Sequence, residues 1–374
     1  MVDLASVIRP GDGILWGQAC AEPQTLVEAL VAQRDRLKVN CFLGSSYSGI
    51  IKPEHADHLR LTSYCGTGSN RALADAGVLQ IQPAPYSQLG SLLRNRKIKC
   101  DVVMLQVPPP NARGEYSLGL AVEYLAPALE VARAVVAEVN DRIPWTRTEP
   151  VLREKDFALL VKSSREPVYL PYRIDALEQA VASHAVRFIP DGATLECGIG
   201  NLPNAVVAAA RGRKNLRFHS GVVPDAVVDL DVKSITGGAL MGSRRLFDWA
   251  HQNPRLRLCS SDVTHGAPLR DIEKFIAINS AVEVDLTGQV NGEVARGSYV
   301  GAVGGALDFV RAANQSPGGI SMVVLPASRI VSSLSGPVST PRSEAGVIVT
   351  EKGAADLRGC TIDERVKRMR AIAA

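Results

Sequence analysis

One strand–loop–helix–strand pattern occurs twice in this chain. Residues 10–41 lead from Pro10 and an Asp-Gly pair through an apolar strand to a turn at Gly17, and residues 190–220 do the same up to Gly198. Each turn is followed by a proline, a helix rich in Ala, Val and Leu, and a strand flanked by basic residues. Because the order and the turn residues agree, the repeat predicts two related halves rather than one large sheet.

A second pair of segments supports the repeat. Residues 101–124 parallel residues 274–293 together with 297–309, since each has an apolar strand, an Asn- and Gly-containing turn and a Gly-Xaa-Tyr segment before a helix. Short apolar strands that alternate with Ala-rich helices predict an α/β fold with a mostly parallel sheet in each half. The Pro- and charge-rich stretch 141–180 reads as the connection, and we place the boundary near residue 178, giving domains 1–178 and 179–374.

Charge and cysteine content exclude several classes of protein. The formal net charge is only +4 and the basic residues are scattered, so no nucleic-acid partner is expected. Seven cysteines without CxxC spacing predict free thiols in a reducing compartment, and the six histidines show no metal-ligand spacing. The N-terminal residues do not resemble a signal peptide and no apolar run reaches membrane-span length, so a cytoplasmic protein without a membrane partner is expected.

Two glycine-rich turns are candidate ligand-binding loops, CGIGNLP at 197–203 and GAVGGALDF at 301–309. In parallel α/β sheets, ligands bind where strands end and loops lead into helices. Glycine there lets backbone N–H groups approach an anionic oxygen. Close packing of a helix on a strand explains either turn equally well, and neither is a GxGxxG fingerprint or a Walker A sequence.

Several segments, in this order along the chain, resemble the acetyl-CoA hydrolase/transferase family, with 4-hydroxybutyrate CoA-transferases as a close type. They include DVVMLQVPPPNARGEYSLG (101–119), GATLECGIGNLPNAV (192–206), FHSGVVPDAVVDL (218–230), AINSAVEVDLTGQVN (277–291) and TPRSEAGVIVTEKGAADLRG (340–359). The resemblance implies two Rossmann-like domains with the active site at their interface, and a homodimer. It also implies an acyl-CoA thioester as substrate rather than a permanently bound cofactor. Family members normally continue some tens of residues past this C-terminus.

The resemblance also implies a mechanism. In the family, a glutamate attacks the thioester and carries CoA as a glutamyl-CoA thioester, while backbone N–H groups of two glycine-containing loops stabilise the oxyanion. The glutamate lies in a segment of the form H-T-E-M-x-S-D-G-V-V-D-L, which matches residues 219–230 here and places Gly221 at the glutamate position. The sequence therefore predicts that the usual nucleophile is missing.

The oxyanion loops of the family match this chain at two places, Cys197 and Gly198 in one loop and Val303, Gly304 and Gly305 in the other. Because the donor is a backbone N–H, these loops are expected to bind the thioester whatever their side chains are. The Cys197 thiol itself is interpreted as a core group.

A substrate-facing asparagine of the family matches His265. An imidazole titrates near neutral pH and can act as a general base toward water or another acceptor. The alternative is a loop histidine with satisfied hydrogen bonds. Ser220 is a candidate nucleophile with His265 as its base, although a hydroxyl bonded to the backbone is the preferred interpretation.

Three further side chains are candidates. Glu196 is either a relocated carboxylate or a structural one. His219 matches a family histidine and is expected to shape the site. Glu115, in the first half, either contacts substrate or is solvated.

Three functions remain open at this point. The first is hydrolysis of an acyl-CoA thioester, or direct acyl transfer to a small-molecule acceptor, without a glutamyl-CoA intermediate. The second is an authentic CoA-transferase for short-chain carboxylic acids that uses another carboxylate. The third is a non-catalytic homologue that binds acyl-CoA or a partner. Nothing in the sequence specifies the acyl group.

Overall fold

A computed structural model describes residues 2–374, with Arg270 described in its backbone only. The chain forms two compact units. The first comprises residues up to 84, 88–170 and 238–262, and the second comprises residues 85–87, 171–237 and 263–374. The structural division thus differs from a single cut near residue 178, because the chain returns to the first unit after Gly237 and leaves it again after Asp262.

A parallel seven-stranded sheet forms the centre of the first unit, in the order β4-β3-β2-β1-β5-β7-β9. Residues of β1 and β5 are buried throughout, as expected for strands covered on both faces. The strands of this unit, up to residue 170, are β1 (Gly13–Trp16), β2 (Asn40–Leu43), β3 (Arg60–Ser63), β4 (Leu79–Ile81), β5 (Val102–Val107), β6 (Glu115–Tyr116), β7 (Ala134–Asn140), β8 (Leu152–Arg153) and β9 (Leu159–Ser163).

In the part of the chain that the structure describes, the α-helices between these strands are α1 (Gln24–Ala32), α2 (Arg34–Leu37), α3 (Asn70–Asp75), α4 (Leu89–Arg94) and α5 (Leu125–Val131). The apolar face of α1, with Leu26 and Leu30 fully buried, packs into one core with the strand residues Ile14, Cys41 and Met104. Burial of such side chains contributes about 1.5–3 kcal/mol each relative to exposure.

The second unit contains a sheet with the order β12-β11-β10-β14-β19-β21-β22. Pairs β10–β11, β10–β14, β14–β19 and β19–β21 are parallel, and β22 is antiparallel at the edge. The later strands are β10 (Thr194–Cys197), β11 (Leu216–Pro224), β12 (Val232–Met241), β13 (Leu256–Leu258), β14 (Phe275–Ser280), β15 (Glu283–Asp285), β16 (Val290–Asn291), β17 (Val294–Ala295), β18 (Ser298–Tyr299), β19 (Ile320–Val324), β20 (Ile330–Val331), β21 (Val347–Thr350) and β22 (Gly353–Asp356).

The remaining helices are α6 (Ala176–Ala185), α7 (Asn201–Ala209), α8 (Arg244–Ala250), α9 (Ser261–Thr264), α10 (Ala306–Gln315) and α11 (Ile362–Ile372). Both α6 and α11 begin with a capping box, from Asp175 to Glu178 and from Thr361 to Glu364. Among the described residues, none of the helices is both long and apolar enough to cross a bilayer.

The two sheets share their strand order. The series β3-β2-β1-β5-β7-β9 in the first unit corresponds to β12-β11-β10-β14-β19-β21 in the second. The segments that repeat in the sequence fall on equivalent strands, since residues 10–41 contain β1 and β2 and residues 190–220 contain β10 and the start of β11. The predicted α/β class and mostly parallel sheets are therefore confirmed.

Candidate active site

The candidate site lies in the second unit, at the carboxyl ends of three neighbouring strands. Strand β10 ends at Cys197, β11 carries Ser220 at the same level, and β14 lies on the other side of β10. After β10 the chain turns at Gly200, whose φ of 127° is in a region that favours glycine, and enters α7. The second candidate loop, with Gly304 at φ 54°, leads into α10.

His265 fills the space in front of Gly221. A Cβ atom on Gly221 would lie 2.8 Å from Cε1 and 2.9 Å from Nε2 of the His265 ring. A Cβ atom on Gly305 would also collide with Nε2 and Cδ2 of that ring. The imidazole therefore fits only because both positions are glycine. The structure places this ring where a side chain at position 221 would begin.

Aromatic side chains enclose the His265 ring. Its centroid is 4.6 Å from that of Tyr86 and 4.5 Å from that of Phe309, and its Nδ1 lies 2.9 Å from Thr264 Oγ1. Only 7% of the residue is exposed. Burial, with a smaller contribution from His219, lowers the pKa of His265 to about 3. The expectation that this imidazole titrates near neutral pH is therefore wrong for this environment.

His219 lies on β11 beside Ser220 and contacts the segment that carries His265. Its Nε2 is 3.1 Å from the Thr264 carbonyl oxygen, and its ring meets that of Phe275 edge-on at 6.4 Å. Burial lowers the pKa of His219 as well. These contacts place the His219 ring against the backbone next to His265.

The Ser220 hydroxyl is hydrogen-bonded to the backbone of β10. It donates to the Cys197 carbonyl at 3.1 Å and accepts from the Cys197 N–H at 3.2 Å and from the Val222 N–H at 3.3 Å. Ser220 is fully buried. Among the described residues its hydroxyl makes no hydrogen bond to His265, so this geometry does not form the predicted Ser–His pair.

The two predicted donors of the first loop are engaged as well. The Cys197 N–H donates to Ser220 Oγ, and the Gly198 N–H donates to the Ile278 carbonyl oxygen at 2.8 Å as part of the sheet. Burial raises the pKa of the Cys197 thiol, with a smaller contribution from Glu196. The thiol is thus an unreactive core group.

The second loop differs in this respect. Gly304 uses its carbonyl oxygen to accept from the Tyr86 N–H at 2.9 Å, which ties residues 85–87 to this loop. Gly304 also forms a parallel bridge with Pro85, and because proline has no N–H, this bridge engages the Gly304 N–H as well. The N–H groups of Val303 and Gly305 donate to no residue that the structure describes. This loop therefore presents unused donors next to the His265 ring.

Glu196 is buried in the sheet, with its carboxyl group bonded to β14. Its Oε2 accepts from the Ile278 N–H at 3.0 Å and from Asn279 Nδ2 at 2.8 Å. With 1% exposure, the desolvated carboxyl has its pKa raised to about 8, although both hydrogen bonds favour the charged form. A carboxyl so enclosed serves to join β10 to β14.

Glu115 belongs to the first unit. It lies on β6, which pairs with β8, and it forms an ion pair with Arg153 at 3.2 Å. It also accepts from Asn111 Nδ2 at 3.0 Å. Its role toward substrate stays a prediction.

Four residues of this site were missed by the sequence reasoning: Tyr86, Thr264, Asn279 and Phe309. Phe309 follows Gly305 by four residues on α10, so helical periodicity alone would place both on one face. No local signal marks Tyr86, which is distant in sequence from every other residue of the site.

Comparison with known proteins bears on the activity. The chain matches the acetyl-CoA hydrolase/transferase N-terminal domain over residues 1–151 and the C-terminal domain of the same family over residues 242–374. The 4-hydroxybutyrate coenzyme A transferase of Clostridium kluyveri is 31% identical over 391 residues, which cover 97% of this chain and 91% of that protein. An acetyl-CoA hydrolase of Saccharomyces cerevisiae is 30% identical over 255 residues, covering 59% of this chain and 47% of that protein.

Solved structures agree with these matches. RipA from Yersinia pestis superimposes with a TM-score of 0.93 at 26% identity, covering 99% of this chain and 92% of that one. A 4-hydroxybutyrate CoA-transferase from Porphyromonas gingivalis gives a TM-score of 0.82 at 27% identity with the same coverage. The chain therefore belongs to the acetyl-CoA hydrolase/transferase family and is an enzyme that processes acyl-CoA thioesters.

Proposed function

We propose that this enzyme cleaves an acyl-CoA thioester by direct attack of an acceptor, water or a small nucleophile, without a glutamyl-CoA intermediate. The observation that carries the proposal is the His265 ring, which lies within 2.9 Å of where a Cβ atom of residue 221 would stand. A carboxylate nucleophile is absent from this position, and the ring leaves no room for one.

The reaction balances without any further reactant. The acceptor attacks the thioester carbonyl carbon, the C–S bond breaks, and CoA leaves as a thiolate. The acceptor's proton ends on that sulfur, and the acyl group stays on the acceptor. With water as acceptor, the products are a free carboxylic acid and CoA. One relative is named an acetyl-CoA hydrolase, and hydrolysis of an acyl-CoA thioester is the reaction that this name describes.

Glu196 is a poor substitute nucleophile. As a nucleophile, Glu196 would have to reach a thioester, yet only 1% of Glu196 is exposed. In addition, its Oε2 accepts hydrogen bonds from two donors of β14. Releasing it would leave those two buried donors unpaired, at a cost of about 1–3 kcal/mol each. This geometry favours direct attack over a relocated glutamyl route.

The test is trapping during turnover. We would incubate the enzyme with acetyl-, propionyl- and butyryl-CoA, follow free thiol, and add borohydride or hydroxylamine in parallel. A glutamyl-CoA enzyme is inactivated by these reagents and shows ping-pong kinetics with acetate. We expect CoA release without inactivation, and incorporation of ¹⁸O from labelled water if water is the acceptor. Inactivation that depends on acyl-CoA would contradict the proposal.

A gain-of-function pair sharpens this test. Gly221→Glu alone is expected to be inactive as a CoA-transferase, because the new side chain collides with His265. Combined with His265→Gly, the glutamate has room, and borohydride-sensitive transfer to acetate is expected to appear. Identical behaviour of the single and double variants would show that the ring does not block this position.

A further inference from the structure

The hydrogen-bond donors at the site divide into two groups. The predicted donors of the first loop, Cys197 and Gly198, already donate to Ser220 Oγ and to the Ile278 carbonyl oxygen. In the second loop, residues 303–305, the N–H groups of Val303 and Gly305 donate to no described residue. One polar side-chain atom lies at the same loop, Nε2 of His265, which is against Gly221 and Gly305.

The Nε2 atom has no hydrogen-bond partner among the described residues, whereas Nδ1 is paired with Thr264 Oγ1 at 2.9 Å. If the threonine hydroxyl donates to Nδ1, the neutral ring carries its proton on Nε2. That tautomer places an N–H at Nε2, against Gly305 of the second loop. Thr264 is fully buried and precedes His265 directly, so it holds the ring in one orientation.

We infer that His265 is a neutral hydrogen-bond donor, whose Nε2–H joins the N–H groups of Val303 and Gly305 in holding the thioester oxygen as negative charge develops on it. The inference rests on the proposed function, in which the thioester is cleaved at this site. It assigns to an imidazole the task that backbone donors at Cys197 and Gly198 were expected to perform.

The surroundings of the ring favour a donor over a base. A general base must become an imidazolium, but the groups packed on this ring are Tyr86, Phe309 and two glycines, none of them a carboxylate. The other titratable group that acts on it is His219, whose positive form would repel an imidazolium. A neutral N–H donor needs no such compensation, and preorganised donors at a developing oxyanion are strongly catalytic.

Matched substitutions separate donor from base. His265→Gln keeps a side-chain N–H at similar reach but has no basic nitrogen, whereas His265→Ala has neither. With the acyl-CoA that wild type cleaves best, we expect His265→Ala to lower kcat about 100-fold or more with little change in KM. We expect His265→Gln to stay within about tenfold of wild type. Equal loss in both variants, with thermal midpoints like wild type, would overturn the inference.

Magnetic resonance tests the inference independently of turnover. In protein with ¹⁵N-labelled histidine, assigned with His265→Gln, we expect His265 to carry its proton on Nε2 throughout pH 6–9. Adding a ketone analogue of acetyl-CoA, with a methylene between sulfur and carbonyl, should shift the Nε2 resonance. A proton on Nδ1, or no shift while calorimetry shows the analogue bound, would overturn the inference alone. Failure of the analogue and of all three acyl-CoA thioesters to bind would contradict the proposed function and this inference with it.

Discussion

The two units share one strand order, but the polar groups in the loops near their strand ends are hydrogen-bonded differently. In the first unit, Gln18 follows β1 and accepts from the Ser45 N–H and the Tyr64 hydroxyl, each at 2.8 Å, while it donates to Glu123 at 2.5 Å. In the second unit, the N–H groups of Val303 and Gly305 donate to no described residue and lie beside a buried imidazole. The same frame thus supports a closed polar network in one unit and open donors in the other.

The difference shows that the two units share their strand order but not the way their loop polar groups are used. Buried polar groups are nearly always hydrogen-bonded, so a network that satisfies its own members, such as that of Gln18, is a structural device. A cluster of donors without protein partners is suited to a ligand that carries negative charge. The strand order fixes where the loops lie. The loop residues decide whether polar groups are hydrogen-bonded within the protein or available to a substrate.

The largest expected effect tests the closed network of the first unit. Gln18→Ala removes three buried hydrogen bonds at once, and each buried group that loses its partner costs about 1–3 kcal/mol. We expect the thermal midpoint to fall by roughly 5–10 °C. Gln179→Ala, at an exposed position of α6, is the control and should shift it by about 1–2 °C at most. Similar midpoints for the two variants would refute the structural role.

An intermediate effect tests the fit of His265 between its glycines. Gly221→Ala places a methyl group against the ring, and overpacking of this kind costs about 1–3 kcal/mol. In a His265→Ala background the added methyl has space, so the same change should be nearly neutral. Thermal midpoints of the four proteins form a double-mutant cycle. Additive midpoints would mean that the ring does not occupy the space in front of Gly221.

A further effect, which depends on pH, concerns Glu196. Its carboxyl has an ordinary pKa of 4.5 and a pKa of about 8 in the folded protein, so the folded state retains a proton that the unfolded state releases between these values. This contribution to stability is complete below pH 4.5 and is lost as the pH rises through 8. Glu196→Gln stays neutral, so its thermal midpoint should exceed that of wild type at pH 8.5 and match it at pH 4.5. A difference independent of pH would contradict the raised pKa.

Sequence reasoning predicted the two α/β units and singled out some residues of the candidate site. The repeat predicted two α/β units, because strand and helix periodicity and turn residues act locally and are readable in order. The match of residues 219–230 pointed to Gly221 as the position without a carboxylate, and His265 was singled out because it matches a substrate-facing asparagine of the family. Ser220 was preferred as a hydroxyl bonded to the backbone, and the structure gives it that bonding.

The protonation state of His265 was not predictable, because a pKa depends on what surrounds the ring in space. Tyr86 lies 179 positions earlier in the chain, and no spacing rule brings it to the imidazole. The occupied N–H groups of Cys197 and Gly198 were missed for the same reason, since their acceptors lie on β11 and β14. The boundary near residue 178 overlooked the return of residues 238–262 to the first unit.

By itself, the sequence determined the α/β class, the repeat, the family and the absence of a glutamate at position 221. Those properties follow from local patterns and from residue identity. Only the tertiary structure decided that the space at Gly221 is filled, that burial lowers the pKa of His265, and which loop has N–H groups without a protein acceptor. Desolvation and hydrogen-bond pairing are properties of neighbours in space, and those neighbours come from distant parts of the chain.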